Sequence, residues 1–489
     1  MDILGWLAGD EYTIAREILQ RGVALIYVVA FVSAVNQFPA LLGDHGLLPA
    51  ARFLRSAPGR AQPTLFRLRR HDRPIYSDRL LRAMGWTGAA LSALVVVGVP
   101  QLASSWVFVP LFLVIWFLYL SIVNIGQTFY GFGWESLLCE AGFTVAFLGA
   151  WDTAPPITLV ILVRWTVFRL EFGAGMIKMR GDRVWRDLTA LYYHHETQPM
   201  PNPLSRTAHL LPRWFHRAEV LGNHVAQLII PWLLFLPQPV ASAAAGVVIL
   251  TQLWLVATGN FAWLNVITIV LAFAAVSDPV WSWALGWADG GARLGGIGAD
   301  SLPLGYAIVA LLVTAGLVYL SWPPLRNLFR RRQLMNASFN RWHLVNAYGA
   351  FGSVTRERYE VTVEGTADDP YDPAAGWREY AFRGKPGDVR RLPRQFAPYH
   401  LRLDWLMWFL ALGSRDSPWF DVFLLRLLEA DAPTLRLLRR DPFEGRPPRA
   451  VRATLHRYRY TTRAEKRATG DRWVRTEAGT LVPPVSLRS

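Results

Sequence analysis

Eight or nine stretches of this chain are long and apolar enough to be read as membrane spans: 22–42, 84–102, 106–123, 127–149, 157–177, 221–236, 240–258, 261–276 and 302–320. The number is open by one because 221–236 is short and two stretches are interrupted by Gly-Asn or Pro. A bilayer has no water to satisfy backbone N–H and C=O groups, so segments of about 20 apolar residues cross it as helices. The expected fold class is mainly α, a polytopic bundle of about 8–9 spans over residues 1–322. At 52% hydrophobic, with 22 Trp and 26 Phe, the composition excludes an ordinary soluble globular protein.

One stretch breaks the apolar pattern. Residues 164–203 begin as a helix that carries Arg164, Arg169, Glu171 and Lys178 where lipid is expected. Each such charge costs about 3 kcal/mol, so it faces a cavity or a partner. Arg164, Glu171 and Lys178 are seven residues apart and drift only about 20° per step, so they share a face. Gly173, Ala174 and Gly175 leave room for close approach. Glu135 and Glu140 add acidic groups in the preceding span. Lys178 lies about 10.5 Å along the helix from Glu171, a long reach, so a partner on another helix, Glu135 or Glu140, is expected. Pairing is favoured over a catalytic role for Lys178, and both readings stay open.

The helix exits through Gly181, Asp182 and Arg183 into an aromatic, Pro-punctuated loop. His194, His195 and Glu196 invite a metal reading. Adjacent histidines without an HxxxH or HExxH frame are poor ligands for one ion, so an interfacial loop packed by Trp185, Tyr192 and Tyr193 is expected and no metal or other cofactor is. His216 and His224 with Glu219 read as a polar cluster on one helix face. Asn260 and Asn265 read as caps.

The net charge of +15 sits mainly in Arg-rich loops, including Arg52, Arg55, Arg60 and the Arg330–Arg332 run. Membrane topology and anionic lipid account for it, and no groove-reading motif supports nucleic-acid binding. Cys139 is the only cysteine, which excludes an internal disulfide or a resolving pair. The N-terminus lacks a basic region followed by a compact apolar core, so no cleavable signal peptide is expected.

After residue 322 the character changes. Residues 323–355 are basic and read as an interfacial helix. RYEVTVEGT, WREYAFRG and RAVRATLHRYRYT alternate as strands do, with helical patterns at 399–412 and 418–439 between them. This is a soluble α/β domain at 356–463, rich in antiparallel strands, followed by a flexible basic tail at 464–489.

These blocks carry a resemblance. LLGDHGLLPA, FYGFGWESLLCEAGF, GAGMIKMRGDRVWRDLTALYYHHETQPMPNPLS, WFHRAEVLGNH, TGNFAWLN and the segment from DSPWFDVF to HRYRYT, in that order, resemble the lipase maturation factor family. The motif loop contributes Gly181, Asp182, Trp185, Arg186, His194, His195, Glu196, Gln198, Pro199, Pro201 and Asn202. The resemblance implies a multi-span protein, in the endoplasmic reticulum of animals, that helps secreted lipases fold and assemble. It implies a lipase or hydrolase client contacted by the C-terminal domain, which faces the lumen. Positive-inside counting instead puts the 43–83 loop and the Arg330–Arg332 turn on the cytoplasmic side. The Arg- and Ala-rich, Cys-poor composition points to a bacterial chain and an inner membrane.

The GAGMIKMRGDRVW core is also similar, more distantly, to the lysine segment of vitamin K-dependent carboxylase-like membrane domains. That likeness implies Lys178 as a base acting on a lipid-soluble or membrane-presented substrate. An assembly factor and a membrane enzyme are therefore the two readings. A transporter is a third, for which no pair of corresponding broken helices is evident.

Overall fold

In a computed structural model the described residues are 5–56, 62–70, 73–285, 302–413 and 417–487. Arg60 of the basic loop lies outside them. The chain begins with helix α1 (Thr13–Leu42), followed by α2 (Asp78–Val97), α3 (Ser105–Val123), α4 (Gly133–Ala146) and α5 (Ile157–Arg180). Ser77 starts α2 by accepting a hydrogen bond from the Leu80 amide at 3.2 Å, which satisfies one of the orphan donors at a helix N-terminus. Gly142 lets α4 lie against α1, since a Cβ there would meet the Tyr27 hydroxyl at 2.0 Å.

The motif loop folds into the short helix α6 (Leu191–Thr197), and the chain continues through α7 (Arg213–Leu228), α8 (Val240–Thr258), α9 (Leu264–Ala272) and α10 (Leu304–Leu320). Among the described residues, five helices are long and apolar enough to cross a membrane: Asp10–Leu42, Asp78–Val97, Ser105–Val123, Val240–Thr258 and Leu304–Phe329. The pair Leu264–Ala275 and Asp278–Ala284, bent by 104°, raises the number to six if counted as one span. The described residues thus give five or six where eight or nine are expected from the sequence, and the larger count is not confirmed.

Helix α4 has only 14 residues, about 21 Å against a hydrocarbon core of about 30 Å. Helix α5 is long enough at 24 residues but carries Arg164, Arg169, Glu171, Lys178 and Arg180. The 221–236 stretch breaks between α7 and the four-residue helix Ile230–Leu233, which begins with Pro231 near its N-terminus. Leu250 on α8 and Leu312 and Tyr319 on α10 are exposed, as lipid-facing side chains are. The molecule is an integral membrane protein.

The C-terminal part is built on a four-stranded antiparallel sheet of β1 (Arg358–Thr366), β2 (Arg378–Glu379), β3 (Ala450–Tyr460) and β4 (Trp473–Val485), in the order β2-β1-β3-β4. Helices α11 (Arg402–Ala411) and α12 (Pro418–Leu428) accompany it. Val361 and Val363 of β1 are fully buried, in one continuous core with α11, α12 and the bundle.

Two expectations for this part are corrected. Of the basic linker only 323–329, within the helix Trp322–Phe329, is helical. The remainder turns inward and buries Asn346 and Tyr348, because their polar groups satisfy Glu140. The tail is not loose over its described length. A capping box at Thr462 and Glu465 starts a short helix. Residues 473–485 then pair along β3, held by Trp473 stacked on Tyr460 at 3.9 Å between ring centroids.

Candidate functional site

Helix α5 positions three polar clusters in succession. At its first turns, Arg164 reaches across the bundle to the carbonyls of Ala274 (3.0 Å) and Leu234 (3.2 Å) and lies over the Tyr12 ring. It caps chain ends left open where other helices stop, a structural use of a guanidinium.

One turn further on, Arg169 pairs with Glu140 of α4. Glu140 is saturated. It also accepts from Thr166 (3.0 Å), the Asn346 amide (2.8 Å), the Asn346 side chain (3.0 Å) and the Tyr348 hydroxyl (2.7 Å). Arg169 in turn donates to the Asn346 carbonyl at 2.6 Å. A buried carboxylate with this many partners holds α4, α5 and the linker in one arrangement and has no capacity left for a substrate.

Glu135 does the same for the two halves of the chain. It accepts from Tyr119, and from Arg402 of α11 at 2.6 Å. Arg402 stacks over Tyr130 and also donates to the Phe129 carbonyl. Neither glutamate is the partner of Lys178, so that expectation is corrected. Both acids were already committed to arginines that pack closer.

Glu171 and Lys178 form the third cluster. Glu171 accepts from Gln252 of α8 (2.6 Å) and Gln227 of α7 (3.1 Å). Lys178 donates to Gln227 (2.8 Å) and Asn223 (3.2 Å) and lies 4.7 Å from the centre of the Trp185 ring. Gln227 thus bridges the two charges, which the pitch of the helix keeps from direct contact. Asn265, expected as a cap, donates instead to Gln252 at 2.7 Å and extends the chain of amides.

This third cluster borders a cavity of about 1060 Å³. Its wall is mostly apolar and comes from α5, α7, α8, α9, the 348–353 segment and Trp405, Trp408 and Phe409 of α11. Lys178, Glu171, His194, His195 and Glu219 are among the polar residues on it. An apolar chamber with a few convergent polar groups is the usual form of a binding site.

The motif loop is the frame of that wall. Gly181 approaches so closely that a Cβ would meet the Gly352 carbonyl at 2.1 Å, and the next amide, Asp182, donates to that carbonyl at 2.8 Å. Asp182 caps the following turn through the Val184 amide and takes two hydrogen bonds of 2.9 Å from Arg356. Those bonds from Arg356 hold its carboxyl below the ordinary carboxylate range. Trp185 donates to the Phe351 carbonyl at 2.8 Å, and Arg186 to the Met179 carbonyl at 3.0 Å.

Arg358, fully buried on β1 and paired with Glu360 at 2.5 Å, gathers the carbonyls of Glu196, Gln198 and Pro199. The Glu196 side chain accepts from the Tyr460 amide at 2.6 Å, and its burial raises its carboxyl. Gln198 and Asn202 close the loop against the end of α8 by donating to the Thr258 and Ala257 carbonyls. Asn260 is not a helix cap: it donates to the Pro201 carbonyl and accepts from the Phe396 and Ala397 amides. His194 packs edge-on to Phe351 and parallel to Phe261.

The residues that sequence reasoning missed are Gln227, Gln252, Asn346, Arg358 and Arg402. Each is distant in sequence from the group it serves, Arg402 lying 267 positions from Glu135, and no local spacing could have joined them.

The lipase maturation factor transmembrane domain family matches residues 14–283, and the lipase maturation factor C-terminal domain family matches residues 344–483. The chain belongs to the lipase maturation factor family. It is 38% identical to Lipase maturation factor 1 of Bos taurus, over 98% of this chain and 90% of that protein. Identity to Lipase maturation factor 1 of Homo sapiens is also 38%, over 97% of this chain and 88% of the relative. Lipase maturation factor 2 of Gallus gallus is 30% identical over 94% and 80%. No solved structure matches the chain. These likenesses support neither the carboxylase-like reading of Lys178 nor a bacterial source.

Proposed function

We propose that this protein assists the folding and assembly of a secreted lipase or related hydrolase, at the membrane through which that client emerges. In an animal cell that is the endoplasmic reticulum membrane; in a bacterium it is the cytoplasmic membrane. The reading rests on one observation, likeness to relatives named lipase maturation factors along nearly the whole chain. The buried Glu135–Arg402 pair supports it by making the bundle and the C-terminal domain a single body, as a rigid platform for a client requires. Within this reading the cavity takes an apolar segment, and Lys178 is a hydrogen-bond donor in its wall.

The test is co-expression of a secreted lipase with the full chain, reading lipase activity per mass of lipase secreted. Specific activity rises when the chain is present; equal activity with and without it overturns the proposal. Removing residues 356–461 is not a clean arm, because it strips Arg402 from Glu135 and leaves a buried charge unpaired. Lys178→Met is cleaner. A folded Lys178→Met protein that still raises lipase activity supports the platform, and one that has lost all effect contradicts it.

A further inference from the structure

Three donors from two elements meet at the cavity wall. They are Nε2 of His195 on α6, and Nδ1 of His216 and a carboxylate oxygen of Glu219 on α7. All lie within 4.8 Å of one another. The His195 nitrogen is 3.7 Å from one Glu219 oxygen, and the His216 nitrogen 3.8 Å from the other. These separations exceed hydrogen-bond length. His195 Nε2, His216 Nδ1 and Glu219 Oε2 are accordingly buried with no hydrogen-bond partner, although both imidazoles are only 2% exposed. Buried polar atoms are nearly always satisfied, so three unpartnered ones within 4.8 Å of one another point to a ligand that all three can hold.

The surroundings fix what that occupant is. Nε2 of His216 lies 3.2 Å from the His209 carbonyl. A carbonyl only accepts, so Nε2 donates there, and Nδ1 is the ring nitrogen left to ligate when the imidazole is neutral. Trp254 donates to Glu219 Oε1 at 2.6 Å, which orients the carboxylate. A ligating imidazole held by a carbonyl and a carboxylate held by an N–H donor are the outer supports found around protein-bound metals. We infer that His195, His216 and Glu219 bind a divalent cation of the zinc class, joining the motif loop to α7.

Two imidazoles and one carboxylate suit such a borderline cation, and three protein ligands leave a fourth position for water or another ligand. Donors around a tetrahedral ion with bonds near 2.0–2.1 Å stand about 3.4 Å apart; the two imidazole–carboxylate pairs close by up to about half an ångström, and the widest separation in the group, within 4.8 Å, by up to about 1.4 Å. His194, the neighbour in sequence, takes no part; it packs against Phe261 and Phe351.

The full chain is purified in detergent without a polyhistidine tag, stripped with a chelator, and titrated with zinc alone and with cobalt(II) alone. The expected result is about one zinc bound per chain, and a cobalt complex with the strong visible absorption of a tetrahedral site. His195→Gln, His216→Gln and Glu219→Gln each remove both signals. Trp254→Phe, which removes the hydrogen bond to the Glu219 carboxylate, weakens zinc binding by about 10–100-fold. His224→Gln, on α7 but bonded to the Trp185 carbonyl instead, leaves binding unchanged. Binding of no zinc by the folded wild-type chain overturns the inference, as does zinc retained at full affinity in all three ligand variants. The readout is independent of lipase activity, so its failure leaves the proposed function standing.

Discussion

Arg169 and Lys178 lie nine residues apart on one helix and have opposite surroundings. Arg169 is matched to a carboxylate whose oxygens are otherwise filled by Thr166, Asn346 and Tyr348. Lys178 has two neutral amides, an aromatic face and a cavity beside it. The contrast separates charges that hold the bundle together from charges available to something else. Both kinds carry the same cost on entering an apolar environment, and only the partners tell them apart.

The comparison breaks most visibly at Arg169. Replacing it with Met leaves Glu140 charged and buried, and should destabilise the protein by about 3–5 kcal/mol. Thermal unfolding in detergent and the yield of folded protein measure this. If Arg169→Met melts with the wild type, the locked cluster is not locked.

Gly181→Ala comes next. The new methyl would overlap the Gly352 carbonyl, and displacing backbone in a packed site costs about 1–3 kcal/mol. Protease cleavage within the motif loop should accelerate in step with the loss of stability. An unchanged cleavage rate would show that the loop tolerates the shift.

Lys178→Met should cost about 1–3 kcal/mol, less than Arg169→Met, since Glu171 keeps the hydrogen bonds from Gln227 and Gln252. A loss as large as that of Arg169→Met would erase the distinction between the two ends of the helix.

The smallest effect is at Asp182. Its carboxyl is depressed by Arg356 in the folded state, so its contribution is present above the unfolded value of about 4 and is lost as pH falls through the folded value. Arg356 is about two-fifths exposed, and exposed pairs are worth less than about 1 kcal/mol. The Tm difference between wild type and Asp182→Asn should therefore be small at neutral pH and vanish in acid. A difference that grows in acid would reverse the sign and reject the assignment.

Much of this was legible in the chain. Hydropathy marked the helices, the charges inside 157–180 marked α5 as exceptional, and the order of motif blocks pointed to the family. Alternation located β1 and β3. Hydropathy reads eight or nine spans where the described residues give five or six, because it sees apolar residues but not where a helix breaks or how far it rises, as α4 and the 221–236 stretch show. The basic composition of the linker reads as a helix, whereas Asn346 and Tyr348 draw it into the interior.

The sequence by itself determined which residues are apolar, where the charges fall along α5, and which family the chain belongs to, because periodicity and motif order are properties of a one-dimensional string. Tertiary structure alone decided the partners. It gave Glu140 to Arg169, Glu135 to Arg402 and Gln227 to both Glu171 and Lys178, and brought His195 beside His216 and Glu219. Electrostatic and ligand contacts act over a few ångströms of space. Residues 21 to 267 positions apart meet only after the helices and the sheet have packed.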